Sequence, residues 1–394
     1  MPDVLTLKIA LLTHSVNPRG GVVHTLELGR ALHAQGHQVT IFAPAAPGQN
    51  FFRATPCNVS FAPIIHTPKN VVDMVSSRIN AYVSHLRNIL ARESFDIFHA
   101  QDSISGNALA DLCEEGVIEH FARTVHHLDQ FDDQQLMAWQ ERAFRSANEV
   151  LCVSELWTQK LGWEQRVVAH RVFNGVDTER FSCAPVTEKS AISEPTFLAV
   201  GGVEERKNTL RILEAFVLVR ERLPNARLLI AGGASLLDHD AYAARFRDTL
   251  NKHGLTSGID EPVHLTGAVA DDAMRQLFRN AAALVTPSLK EGFGLVVLEA
   301  LACGTPVVAS NIAPFTEHLS DELCHWADPQ QASSIAAAMQ RAASGVRGTT
   351  LRTLADPLLT RMSWAASAEQ HINIYQTLLQ HYEANAVQEE LAHA

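Results

Sequence analysis

The chain of 394 residues has no CxxC pair, no apolar run of spanning length, no cluster of Lys and Arg, and no low-complexity tract or solenoid-period repeat. Each absence removes a class of protein. The six cysteines (Cys57, Cys113, Cys152, Cys183, Cys303 and Cys324) are scattered, several inside apolar runs where a reduced thiol acts as a small hydrophobe; this fits a reducing cytoplasm. The start, MPDVLTLKIALLTH, has neither a charged n-region followed by a long apolar stretch nor a cleavage site, so secretion is not expected. A formal charge of −11 without basic clusters argues against a nucleic-acid partner, whose binding requires Lys and Arg to displace counterions. Walker GK[ST] and the GxSxG elbow are both missing, so Ser154 in CVSELW is no hydrolase nucleophile. A nicotinamide fingerprint is missing too: Gly292-x-Gly294-x-x-Val297 has valine where close helix packing needs glycine or alanine.

What remains is an ordinary globular composition, 46% hydrophobic and 19% charged, in a chain too long for one hydrophobic core. Short aliphatic runs alternate with helix-length segments: LKIALLT, QVTIFAP, DIFHAQ, ARTVHHL and EVLCVS, then TFLAVGG, ARLLIAGG, VHLTGAV, AALVTPS and PVVAS. Continuous apolar strands between helices are what a parallel sheet covered on both faces requires. The series breaks once, at CAPVTEKSAISEPT (183–196), whose Pro, Ser and charge content reads as a linker. Two doubly wound α/β domains are therefore expected, 1–185 and 196–360, with a terminal helix near 364–386 and ligand edges at the strand carboxyl ends.

Three glycine-bearing turns occupy such edges. Gly20 and Gly21 follow the first strand and precede a helical pattern; without Cβ atoms they either open backbone N–H groups to an anion or simply pack tightly. Gly292 and Gly294 repeat the arrangement before LVVLEALACG, where exposed amides and the helix dipole favour a phosphate or diphosphate. Glu299, in this helix, suits neutral ribose hydroxyls rather than the phosphate, and Glu291, ahead of the turn, the far end of the same ligand. As bare spacing, both glutamates read equally as solvated charges. In GGVEERKN (201–208), Arg206 and Lys207 could neutralise a departing diphosphate; solvated surface charge is the alternative, more so for Arg206.

Taken together these residues resemble the retaining glycosyltransferases of family 4. GGV after the first strand, TVHH, VFNGVDTERF, RKN, LLIAGG, HLTG, TPSLKEGFGLVVLEALACGTPVVAS and a late Ser-Trp stand in the family's order, and Glu291 with Glu299 matches its EX7E signature. The resemblance implies the GT-B fold, two Rossmann-like domains facing a central cleft with the terminal helix crossing back to the first. It implies that Gly20 and Gly21 approach the donor diphosphate and that His126 lies near the donor sugar, with His127 replacing a frequent aspartate. It further assigns Lys207 to the diphosphate, Glu291 to the donor sugar, the Phe293, Gly294 and Leu295 backbone to the phosphate and Glu299 to the ribose. Many members have Gly-Arg where this chain has Gly201-Gly202; Arg206 compensates, or Lys207 acts alone.

The activity implied is retaining transfer from a nucleoside-diphosphate sugar, UDP-linked first and GDP-linked second, to an acceptor hydroxyl on a sugar, lipid-linked glycan or small molecule. No cofactor and no metal are expected: Asp238-His239-Asp240 is a DxD, but in a loop of the second domain it reads as solvated acids. His33 and His37 flank Gly36 at a helix end and read as structural. The rivals are a GT-B epimerase or hydrolase and a non-catalytic sugar-nucleotide binder. The stretch 71–90 has helical apolar spacing that is either core or a lipid-facing surface, with core favoured by its having only Arg78 and Arg87 for anionic headgroups, so peripheral membrane contact stays open.

Overall fold

The computed structural model describes residues 6–183, 194–233 and 240–393, with side chains as far as 382. The chain forms two compact units, the first running to Gly175 and resuming at Trp364, the second spanning Val176–Ser363.

In the first unit β1 (Lys8–Leu12), α1 (Gly20–Ala34), β2 (Gln38–Ala45), β3 (Asn58–Pro63), α2 (Val71–Leu90), β4 (Ile97–Ala100) and α3 (Ser103–Glu114) follow in order. Then come β5 (Ala122–Val125), α4 (Gln134–Arg145), β6 (Glu149–Cys152), α5 (Glu155–Lys160) and β7 (His170–Arg171). The sheet is parallel, ordered β3-β2-β1-β4-β5-β6-β7, so the strand order reverses between β1 and β4. β4 and β5 are buried at every position, as sheet strands covered on both faces must be. Edge strand β3, mostly exposed or half-buried, has no apolar run and escapes a reading based on such runs. α2 buries Met74, Ile79, Tyr82, Val83 and Leu86, so its apolar stripe is core.

The second unit contains β8 (Thr196–Val200), α6 (Thr209–Arg222), β9 (Arg227–Ala231), α7 (Asp240–Lys252), β10 (Val263–Gly267), α8 (Asp271–Asn280) and β11 (Ala283–Thr286). It continues with α9 (Leu295–Ala302), β12 (Val307–Ser310), α10 (Phe315–His318), β13 (His325–Ala327), α11 (Ala332–Ala343) and α12 (Gly348–Arg361). Its parallel sheet has the order β10-β9-β8-β11-β12-β13, reversing between β8 and β11. The ten apolar runs in the sequence are all strands, and the fold is the expected pair of Rossmann-like domains.

The units divide at Gly175/Val176 rather than in the Pro- and Ser-rich stretch, most of which, 184–193, lies outside the described residues. Residues just before that stretch pack with the second unit: the Phe181 ring sits 6.0 Å from Phe278, and Arg279 Nε donates to the Ser182 carbonyl at 2.6 Å. The last helix, α13 (Trp364–His393), belongs to the first unit and packs on α1. Trp364, Ala368, His371, Tyr375 and Leu378, spaced three and four apart, form its buried stripe.

Candidate active site

Ligands of doubly wound sheets bind outside the strand carboxyl ends where the order reverses. In the second unit that point lies between β8 and β11. Asn208 ties the two departing loops together, its Nδ2 donating to the carbonyls of Pro287 (2.9 Å) and Pro329 (2.7 Å), while Leu289 N donates to the Arg206 carbonyl at 3.0 Å. With the loops fixed in this way, both Arg206 and Lys207 turn toward Glu291. Lys207 Nζ donates to Glu291 Oε2 at 2.7 Å and Arg206 NH1 to Oε1 at 3.3 Å; the Gly292 amide (3.1 Å) and Ser288 Oγ (3.4 Å) add two further bonds. Arg206 also lies 3.7 Å from Glu204 Oε2. The alternative of solvated surface charge therefore does not hold for either cation.

Glu291 is only 8% exposed. Burial pushes its carboxyl up, but the charges of Lys207 and then Arg206, with the hydrogen bonds, hold it down at about 2. The group is a fixed anion at any working pH. The next residues form the start of α9: Phe293 is buried against His318, ring centroids 5.0 Å apart and nearly parallel, and Gly294 is the N-cap at φ +92°. No side chain caps this helix; Val297 N donates to the Gly294 carbonyl at 2.9 Å, and the rest of the opening turn keeps the amide donors and positive dipole end that suit an anion. A Cβ on Gly294 would come within 2.4 Å of the Phe315 ring, so both conformation and space demand glycine. Glu299 sits half-buried farther along α9.

Gly202, where the family resemblance leads one to expect arginine, adopts φ +80°, and a Cβ there would be 3.0 Å from the Gly233 carbonyl oxygen. The left-handed backbone and the close carbonyl both disfavour an arginine there. Two cations remain here, Arg206 and Lys207, both tethered to one carboxylate.

In the first unit the reversal lies between β1 and β4. Gly20 and Gly21 are the first two residues of α1, so they form its opening turn instead of preceding it. The N-cap, Arg19, is extended and its side chain does not cap the helix. Gly21 packs beneath His126: a Cβ there would touch the ring at 3.6 Å, and a Cβ on Gly20 would meet open space. His126, just after β5, stands edge-to-face against His24, centroids 4.8 Å apart, and its Nε2 lies 3.3 Å from Gln101 Oε1. Burial, helped by His24 and Arg123, holds the imidazole well below its usual pKa, so it is neutral. His127 turns away to Asp129 Oδ2, 3.4 Å off.

Residues not singled out in the sequence complete both places. Ser288 and Glu204 brace Glu291 and Arg206; His24 and Gln101 touch His126, and His99 and Tyr375 stand in line behind Gln101. Gln101 follows β4 at the reversal, and its position past a strand end was the available signal. Tyr375 comes from α13, distant in sequence, and offered none. Asp238 and His239 lie outside the described residues, while Asp240 begins α7. Among the described residues no three His, Cys, Asp or Glu side chains are placed to hold a metal ion, and no helix is long and apolar enough to cross a membrane.

The sequence model described as Glycosyltransferase Family 4 matches residues 18–180, and that described as Glycosyl transferases group 1 matches 187–345. The chain belongs to glycosyltransferase family 4, and it is a glycosyltransferase. It is 24% identical to an uncharacterised glycosyltransferase of Methanocaldococcus jannaschii, covering 95% of this chain and 99% of that one. It is 26% identical to the phosphatidyl-myo-inositol mannosyltransferase of Mycobacterium leprae over 93% and 95% of the two chains. Among solved structures it is similar to sucrose-phosphate synthase from Thermosynechococcus elongatus, with TM-score 0.76, 23% identity, and coverage of 94% and 99%. That likeness is one of fold, the GT-B fold.

Proposed function

We propose that the protein moves a glycosyl group from a nucleoside-diphosphate sugar, UDP-linked by first preference and GDP-linked by second, to an acceptor hydroxyl with the anomeric configuration retained and without a metal ion. The observation that carries this reading is the pairing of Glu291 with Lys207 and Arg206 beside the uncapped start of α9. In this reading the Phe293, Gly294 and Leu295 backbone receives the diphosphate. Lys207 and Arg206 stabilise the negative charge that grows on it as the bond to the anomeric carbon breaks. Glu299 accepts from ribose hydroxyls and Glu291 faces the donor sugar. The family resemblance further assigns Gly20 and Gly21 to the diphosphate and His126 to the sugar. The acceptor oxygen bonds to the anomeric carbon on the face that the diphosphate leaves, and a leaving-phosphate oxygen takes the acceptor's proton. The protein supplies position and charge.

The two cations support metal independence, since they can neutralise a leaving diphosphate in place of a divalent ion. The acceptor is a hydroxyl on a sugar, a lipid-linked glycan or a small molecule, and the mannosyltransferase relative makes an inositol lipid one candidate. The working location is the cytoplasm, with peripheral contact at the inner face of the membrane. The test is a panel of nucleotide sugars offered with and without acceptors, followed by melting temperature and product release; a ligand at a hundred times its dissociation constant adds roughly 2.7 kcal/mol. One donor should stabilise the protein and turn over only when an acceptor is present, in the presence of chelator. Turnover without any acceptor, or abolished by chelator, defeats the reading, as does a Glu291→Gln variant with full activity.

A further inference from the structure

Around His126 the first unit contains a chain of hydrogen bonds that the proposed chemistry does not account for. Gln101 is 2% exposed, and its backbone amide donates to the Leu12 carbonyl at 2.9 Å, which fixes it at the end of β4. Its side chain bridges two imidazoles: Nε2 lies 3.3 Å from His99 Nε2, and Oε1 lies 3.3 Å from His126 Nε2. An amide has one donating end and one accepting end, so the imidazoles it joins must present opposite partners. His99 Nε2 is then the acceptor, with the Thr124 hydroxyl donating to it at 2.8 Å, and its proton is on Nδ1, donated to the Tyr375 hydroxyl oxygen at 2.6 Å. With the amide in this orientation, His126 carries its proton on Nε2, toward Gln101.

We propose that Gln101, held by His99 and Tyr375, is a positioning residue that keeps the His126 proton on Nε2 and leaves Nδ1 as a hydrogen-bond acceptor for a ligand hydroxyl. The bonds run in one direction, from His126 through Gln101 and His99 to Tyr375, and such chains strengthen one another in a dry interior. The Gly21 backbone beneath the ring and the His24 edge against it hold the imidazole plane. The titratable neighbours are His24 on α1, Arg123 on β5, His99 on β4 and the adjacent His127, all of one charge sign when protonated. His126 thus has no carboxylate among these neighbours to draw a second proton. A neutral ring with an open lone pair accepts from a hydroxyl and rejects a carboxylate, so the site favours uncharged sugars over uronates. This rests on the proposed activity for its consequence, though not for its geometry.

The decisive measurement is the histidine tautomer, read by nitrogen-15 NMR of histidine-labelled full-length protein, with the His126 signal identified by its loss in His126→Asn. The proton should be on Nε2 in the parent protein and leave that position in Gln101→Met. Gln101→Met should also lower kcat by about tenfold, the loss of roughly one hydrogen bond, with donor KM changing less. Gln101→Glu should introduce an ionisation into the neutral part of the pH–rate profile, because a carboxylate favours the charged imidazole. A parent protein with the His126 proton on Nδ1, or a Gln101→Met variant with an unmoved tautomer, overturns the proposal. The tautomer is read without turnover, so a failure to find any donor would sink the glycosyl-transfer reading alone.

Discussion

Lys207 places its ammonium 2.7 Å from the Glu291 carboxylate, and the two come from loops that leave different strands, β8 and β11. The contact helps to hold Glu291 ionised. Without Lys207, Glu291 would remain buried beside Arg206, 3.3 Å away. Lys207→Met is expected to cost about 2 kcal/mol of stability, less than a fully enclosed pair, and to slow transfer by roughly a hundredfold or more. Glu291→Gln should lose activity to a similar extent while the protein stays folded. Chemical denaturation and initial rates on the same samples check both.

Placing at position 202 the arginine that the family resemblance leads one to expect should not help. Gly202→Arg forces a side chain into the left-handed region, at a cost of roughly 1–2 kcal/mol before any clash with the Gly233 carbonyl. A lower melting temperature and no gain in turnover are expected.

Gly294→Ala tests the α9 turn. The added methyl meets the Phe315 ring, and the turn must shift, so the amides lose their aim. Affinity for the nucleoside diphosphate should fall about tenfold or more, measured by calorimetry, whereas Glu299→Ala, which leaves the turn intact, should weaken a nucleotide but not inorganic pyrophosphate.

Acid should loosen the first unit more than the second. Burial holds His24 at about 3 and His371 at about 4, and lowers His99 and His126 as well; all four lie in the first unit. In the unfolded chain these imidazoles take up protons near 6.5, so between that pH and the folded values the unfolded state binds more protons and stability falls with falling pH. At pH 5 the cost is on the order of 2 kcal/mol for His24 and again for His371. In the second unit burial likewise holds His318 at about 4 and lowers His325, so that unit weakens over the same window through fewer groups, and Glu291, held at about 2, adds to the loss only once pH falls below its ordinary value of 4.5. Hydrogen exchange at pH 7 and pH 5 should show protection lost first in β4, β5 and α13.

Much of this was legible in the sequence. Strands buried on both faces leave apolar runs, and all ten such runs proved to be strands. The short or half-exposed β3, β7 and β13 left no such trace. Glu291, Lys207, Arg206 and the Gly294 turn were readable because glycine and paired charge carry specific chemistry. That Arg206 shares the Glu291 carboxylate was not, since side-chain direction depends on how Asn208 joins two loops some eighty residues apart. The contacts around His126 were hidden for the same reason: Gln101 and Tyr375 are unremarkable letters until the sheet and the last helix bring them together.

The return of α13 to the first unit has a consequence for biosynthesis. Its buried stripe fills the core beside α1 and β4, so the amino-terminal half emerges from the ribosome lacking part of its own interior. That half must wait through the whole of Val176–Ser363 before it can close, and a message truncated before Trp364 would leave a nascent chain in which only the middle segment has every piece it needs.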